Sequence, residues 1–173
     1  MNRIKDYSKL EFDIGRWITD YYYFHAIESL VVGVSGGIDS AVVSTLCAKT
    51  GLPTYVVCLP LDSKFENSRL SDIHSKKLDS EYDNVTRVAI ELSSAYDHFM
   101  HSVNWWSDAQ HFDKNEFTND ELANANTKSR LRMVTLYQVA GAKKGIVVGT
   151  GNKVEDYGIG FYTKHGDGGV DIA

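Results

Sequence analysis

The sequence predicts a doubly wound α/β fold, a parallel sheet flanked by helices, and three observations lead there. Four short apolar runs, at residues 30–34, 54–59, 85–92 and 145–149, alternate with segments of helical period, which is the pattern of parallel strands joined by right-handed crossovers. The run Thr54-Tyr55-Val56-Val57-Cys58-Leu59 has the continuous apolar character of a strand buried on both faces. The first run breaks directly into Ser35-Gly36-Gly37-Ile38-Asp39-Ser40, so a strand passes through a glycine loop into a helix.

Leu10, Ile14, Trp17, Ile18 and Tyr21 recur at helical spacing and predict an amphipathic helix over residues 7–24. Its aromatic stripe, with Tyr22 and Tyr23, is assigned to packing or subunit contact. After the first strand, Val42, Val43, Leu46 and Cys47 give one apolar face of a helix over 40–50, and Gly51 followed by Pro53 stops it. Pro60 ends the second strand. Residues 67–80 read as a surface helix with Leu70, Ile73 and Leu78 on one side, 85–92 as the third strand, and 93–101 as a short helix. From 104 to 120 the periodicity disappears among Trp105, Trp106, Phe112 and Phe117, predicting a long loop. A long helix over 122–142 and a fourth buried strand over 145–149 follow. The fourth strand is expected to return beside the first, giving the order 3-2-1-4 with a switch point between strands one and four.

Two loops then meet at that switch point. In the first, consecutive glycines let the backbone approach a polyanion, N–H groups at the start of the next helix face it, and Ser35 and Ser40 add hydroxyl donors. Asp39 beside bare phosphate is electrostatically wrong, which points to a divalent cation between them. The spacing excludes both the Walker P-loop and the Gly-x-Gly-x-x-Gly dinucleotide fingerprint. The second loop, 149–172, mixes repeated glycines with charged and aromatic residues, a composition that is neither helix nor strand.

The 173 residues, 43% of them hydrophobic, suffice for one domain with a core, and the formal charge of −5 argues against a protein that coats nucleic acid. Cys47 and Cys58 fall inside apolar patterns, as buried free thiols do, which fits a reducing cytoplasm. No stretch is apolar enough for a signal peptide or membrane span, so a soluble, cytoplasmic protein is expected. His25, His74, His98, His101 and His111 show no paired ligand spacing, and His165 lies within the second loop.

The motif Ser35-Gly36-Gly37-Ile38-Asp39-Ser40 resembles the loop of the pyrophosphate-loop ATP hydrolases that cleave at the α-phosphate, a group that includes enzymes amidating GMP precursors and others thiolating tRNA. Residues 149–172, with Asn126-Thr127-Lys128-Ser129-Arg130-Leu131-Arg132-Met133, resemble the ammonia-dependent NAD synthetases in particular, and the likeness covers essentially the whole chain. It implies an adenine nucleotide α-hydrolase-like fold, a single domain over 1–173 that is C-terminally incomplete, and a ligase forming a C–N bond. The substrates implied are ATP, deamido-NAD and free ammonia; the cofactor is Mg2+. By the same resemblance Gly33, Val34, Ser35, Gly36, Gly37, Ile38, Asp39, Ser40 and Thr150 bind ATP, Asp39 and Glu155 hold the metal, and Arg130, Lys164 and Asp171 bind deamido-NAD. A homodimer with the deamido-NAD site at its interface is also implied. Two departures stand out: Ala125 and Ser129 occupy positions where the family more usually has glycine and alanine, and the chain stops at Ala173, where family members continue. The alternatives are a tRNA-modifying adenylating enzyme and a truncated, non-catalytic nucleotide-binding module.

Overall fold

A computed structural model describes residues 5–61, 65–109 and 120–173. Helix α1 (Tyr7–Phe24) is followed by β1 (Ser29–Gly33), α2 (Ile38–Lys49), β2 (Thr54–Cys58), α3 (Phe65–Glu81), β3 (Val85–Ala89), α4 (Ser93–Ala109), α5 (Glu121–Ala142) and β4 (Gly145–Val148). All strand pairs are parallel and the order is β3-β2-β1-β4, as the alternation of runs predicts. Register follows Val31↔Tyr55 and Val31↔Val147, so β1 is central and its side chains alternate between two layers.

Both faces of the sheet are covered. Val31, Val57 and Val147 pack with Met133, Leu136 and Ala140 of α5. Leu30 and Val32 turn the other way, onto Ile18 of α1 and Cys47 of α2, and Val56 meets Ala48 of α2 and Leu78 of α3. This burial decides the fold. Full burial of an aliphatic side chain is worth about 1.5–3 kcal/mol, whereas exposed ion pairs such as Lys9–Asp13 at 3.2 Å contribute about 0–1 kcal/mol each. Helix α1 buries only Ile18 fully and exposes Phe12, Trp17, Tyr23 and Phe24. Among the described residues, no helix is long and apolar enough to cross a membrane. Both cysteines are free and buried, and burial pushes the Cys47 thiol up to about 12.

Three expectations need correction. Helix α4 runs to Ala109, not 101, and takes Trp105 and Trp106 into its last turns; residues 110–119 of the expected loop lie outside the described ones. The third strand ends at Ala89, although Ile90 and Leu92 still donate to the carbonyls of Cys58, the last residue of β2, and of Pro60 just after it. The segment 149–172 is not wholly irregular: Val154–Ile159 forms a π-helical turn, and Ile172 bridges in parallel to Val148 on the outer side of β4.

Candidate nucleotide site

Strand β1 delivers its loop to the carboxyl edge of the sheet. Gly36 has φ 90°, a left-handed conformation that an L side chain would strain, and it lets the chain turn sharply into α2. Gly37 then caps α2 in extended conformation and, having no side chain, leaves the first-turn N–H groups open to an outside acceptor. The loop's own hydroxyls brace it. Ser35 N–H donates to Ser40 Oγ at 3.2 Å, Ser40 Oγ donates to the Gly37 carbonyl at 2.9 Å, and Gly37 N–H donates to Ser35 Oγ at 3.2 Å. Ser40 is 2% exposed, so its hydroxyl works from inside the loop, while Ser35 stands in the cavity wall. Asp39 sits in the first turn of α2.

The second loop arrives from β4. Asn152 accepts at Oδ1 from the N–H groups of Val154 at 3.0 Å and Glu155 at 3.1 Å, capping the π-helical turn that carries Glu155. Its Nδ2 donates to Asp39 Oδ2 at 3.5 Å. Asp39 and Glu155, from loops remote in sequence, are therefore linked through a single side chain.

Behind this junction lies a cavity of about 510 Å³ walled by Gly33, Ser35, Leu59, Arg132, Thr150 and Asp167, among others. Arg132 donates to the carbonyls of Leu59 at 3.2 Å and Leu61 at 3.0 Å, holding the chain after β2 in place, and burial lowers its pKa. Opposite, Arg87 pairs with Asp72 at 2.5 Å; the Lys76 hydrogen bond, more than Arg87, holds the Asp72 carboxyl below its ordinary range.

The far side of the second loop is stapled to α5. Ser129 Oγ donates to Asp167 Oδ1 at 2.9 Å, Thr163 N–H donates to the same oxygen at 2.9 Å, and Thr163 Oγ1 donates to Asn126 Oδ1 at 2.8 Å. Gly166 admits this contact, since a Cβ there would collide with Ser129 Oγ. Arg130 Nε donates to the Lys164 carbonyl at 3.1 Å, which brings two of the three expected substrate residues together, both exposed. Asp171 is engaged elsewhere. Its Oδ2 accepts from the Val147 N–H at 2.8 Å and its Oδ1 from Tyr137 Oη at 3.1 Å, at the outer edge of β4. Burial, and then the Asp171 charge, raises the Tyr137 pKa.

Asn152, Asp167 and Arg132 were not singled out by sequence reasoning as parts of the site. A signal existed for Asn152, a capping residue type just ahead of a short polar turn. Arg132 lies two positions from Arg130 on α5, which turns it to another face of that helix.

A parallel, doubly wound sheet with a Ser-Gly-Gly loop after the central strand, facing a second loop after its neighbour, defines an α/β protein with a candidate anion-binding loop at the carboxyl edge of its sheet. Within that class the assignment is specific: the NAD synthase family profile matches residues 12–173, and the chain belongs to that family. It is 36% identical over 146 residues to the NH(3)-dependent NAD(+) synthetase of Mesoplasma florum, covering 84% of this chain and 54% of that one. Against the synthetase of the same name from Finegoldia magna the identity is 32% over 168 residues, with 96% and 62% covered. Among solved structures, an NMN synthetase from Francisella tularensis superposes with a TM-score of 0.80 at 33% identity, covering 95% of this chain and 62% of that one. The NH3-dependent NAD synthetase of Campylobacter jejuni, in complex with nitrate, superposes with a TM-score of 0.79 at 26% identity, with 96% and 66% covered. The chain thus spans between about half and two thirds of the length of these proteins.

Proposed function

We propose that this chain carries the ATP-activating portion of an enzyme that amidates the nicotinate carboxylate of deamido-NAD with ammonia, giving NAD, AMP and pyrophosphate. The observation that supports this most is the junction of Asp39 and Asn152, which joins the loops after β1 and β4 over the switch point of the sheet.

A carboxylate resists displacement by ammonia because its leaving group would be oxide. Attack of a carboxylate oxygen on the α-phosphorus breaks the bond to pyrophosphate and forms an acyl-adenylate. The ammonia nitrogen then adds to the acyl carbon, loses a proton, and AMP leaves with the C–O bond electrons. In this reading Gly33, Val34, Ser35, Gly36, Gly37, Ile38, Asp39, Ser40 and Thr150 hold ATP. The open N–H groups at the start of α2 face the departing pyrophosphate. Ser40 serves by holding the loop's shape. Arg130 and Lys164 meet the anionic groups of the pyridine substrate, and Asp171 accepts from its sugar hydroxyls after giving up Tyr137.

Asp39 and Glu155 would hold Mg2+. The donor chemistry fits: magnesium is commonly bound by one or two carboxylates, with substrate phosphates and water completing the shell. When bound, the ion would neutralise charge on the phosphates. The exposed aromatic residues of α1 support a homodimer, and a monomeric mass by sedimentation equilibrium would overturn it. The buried free thiols fit a cytoplasmic setting.

A second reading keeps the chemistry and shortens the substrate to nicotinate mononucleotide, favoured by the likeness to the Francisella tularensis NMN synthetase. The test is incubation of the purified chain with ATP, Mg2+, ammonium and either deamido-NAD or nicotinate mononucleotide, with products resolved by chromatography. Amide, AMP and pyrophosphate appearing together support the proposal, and the better substrate decides between the two readings. Pyrophosphate release driven by tRNA, or ATP binding with no amide formed, would point to the alternatives. Asp39→Ala should abolish pyrophosphate release with the melting temperature nearly unchanged; normal turnover would remove Asp39 from the metal site.

A further inference from the structure

We propose that Asn152 is a positioning residue that fixes Glu155 relative to Asp39 for a divalent cation carried by the nucleotide, an inference that rests on the ATP-binding role given above. Its carboxamide has two ends of opposite character, and each meets its complement. The Oδ1 end accepts from the N–H groups of Val154 and Glu155, and the Nδ2 end donates to the carboxylate of Asp39. The reverse orientation would set an oxygen against a carboxylate and an amino group against two N–H donors, so the partners fix which way the group points.

The turn is also braced through its backbone. The Asn152 carbonyl accepts from Asp156 N–H at 2.9 Å, and the Glu155 carbonyl accepts from Phe161 N–H at 2.8 Å. Gly160, in the left-handed region with φ 72°, reverses the chain there. Asn152 thus combines two tasks. It sets the start of the turn that presents Glu155, and it ties that turn to the acid on the phosphate loop. The contact to Asp39, at 3.5 Å, is the longest of the three. Glutamine is a methylene longer, and aspartate would keep the cap but replace the donor with a charge repelling Asp39.

The test measures binding, not turnover. ATP affinity is determined by calorimetry with and without Mg2+ for the full chain, Asn152→Ala, Glu155→Ala and the double variant, with free Mn2+ followed in parallel by paramagnetic resonance. Removing a residue that orients metal ligands typically costs about 10- to 100-fold in metal affinity. Asn152→Ala should therefore weaken ATP binding about tenfold or more when Mg2+ is present, weaken Mn2+ uptake similarly, and leave metal-free ATP affinity unchanged. The double variant should be no worse than Asn152→Ala alone, because Glu155 without its tie no longer contributes. Thermal melts show whether the variants fold. Equal weakening with and without metal, full additivity with Glu155→Ala, or unchanged Mg2+-dependent binding would each overturn the inference. If the unmodified chain shows ATP binding indifferent to Mg2+, the magnesium role of the parent reading fails as well. A Mg2+ effect that survives Asn152→Ala sinks the positioning role alone.

Discussion

Arg130 and Lys164 belong to different segments, yet one hydrogen bond from the Arg130 side chain to the Lys164 carbonyl ties the two segments together. Arg130→Ala should therefore weaken the nicotinate-bearing substrate by about tenfold or more, the scale of a charged hydrogen bond lost, with little change for ATP. Separate titrations of the two substrates check this; equal weakening of both would count against the assignment. Asp39, Glu155, Arg130 and Lys164 could be named as candidates from the sequence because motif residues carry their chemistry in their type. Their partners were not. Nothing in a one-dimensional pattern says that Asp171 will spend its carboxylate on the Val147 N–H and the Tyr137 hydroxyl, since both contacts exist only after β4 has found its place. Ser40 is a similar case: its residue type reads as a phosphate donor, but the turn directs its hydroxyl inward onto Gly37.

At the scale of elements, strong periodicity translated well and weak periodicity did not. Helix α5 carries a buried stripe, Met133, Leu136 and Ala140, and starts at Asp120, whose carboxylate accepts from the N–H groups of Leu122 at 2.9 Å and Ala123 at 3.0 Å. Loss of such a cap costs about 1 kcal/mol. Asp120→Ala should lower the urea midpoint accordingly, and an unchanged midpoint would show that packing against β1 and β4 alone fixes where α5 begins. The end of α4 was misread for an opposite reason. Trp105 and Trp106 are substantially exposed, so the last turns lack the one-sided apolar stripe by which a helix announces itself. The turn at Val154–Ile159 was equally hidden, because its backbone is set by the Asn152 cap and by Gly160, not by side-chain burial.

For the molecule as a whole, stability should depend on pH through His74, which joins α3 to Ser44 of α2 by a 3.0 Å hydrogen bond. Burial, followed by the nearby Lys77 charge, lowers its pKa, with an opposing contribution from the Ala41 backbone. The unfolded chain then binds this proton first as pH falls. The neutral imidazole's stabilisation is full above the unfolded value of about 6.5 and is lost as pH drops from there through the depressed folded value. Urea melts at about pH 7.5 and about pH 5.5 should show the difference, and His74→Gln should shrink it; an equal pH response in that variant would shift the cause to other groups. Strand order was the most legible global feature, since crossover handedness and the switch-point rule leave few choices once four apolar runs are counted. That order carries a cost during synthesis. Because β1 is sandwiched between β2 and β4, and β4 is the last of these four strands to leave the ribosome, β1 emerges long before its second neighbour and meanwhile shows a row of unsatisfied amides and carbonyls along one flank. Until residues 145–148 emerge and slot in, that flank is a ready template for another nascent chain, so stalled or shortened products ending before β4 should aggregate and call on chaperones.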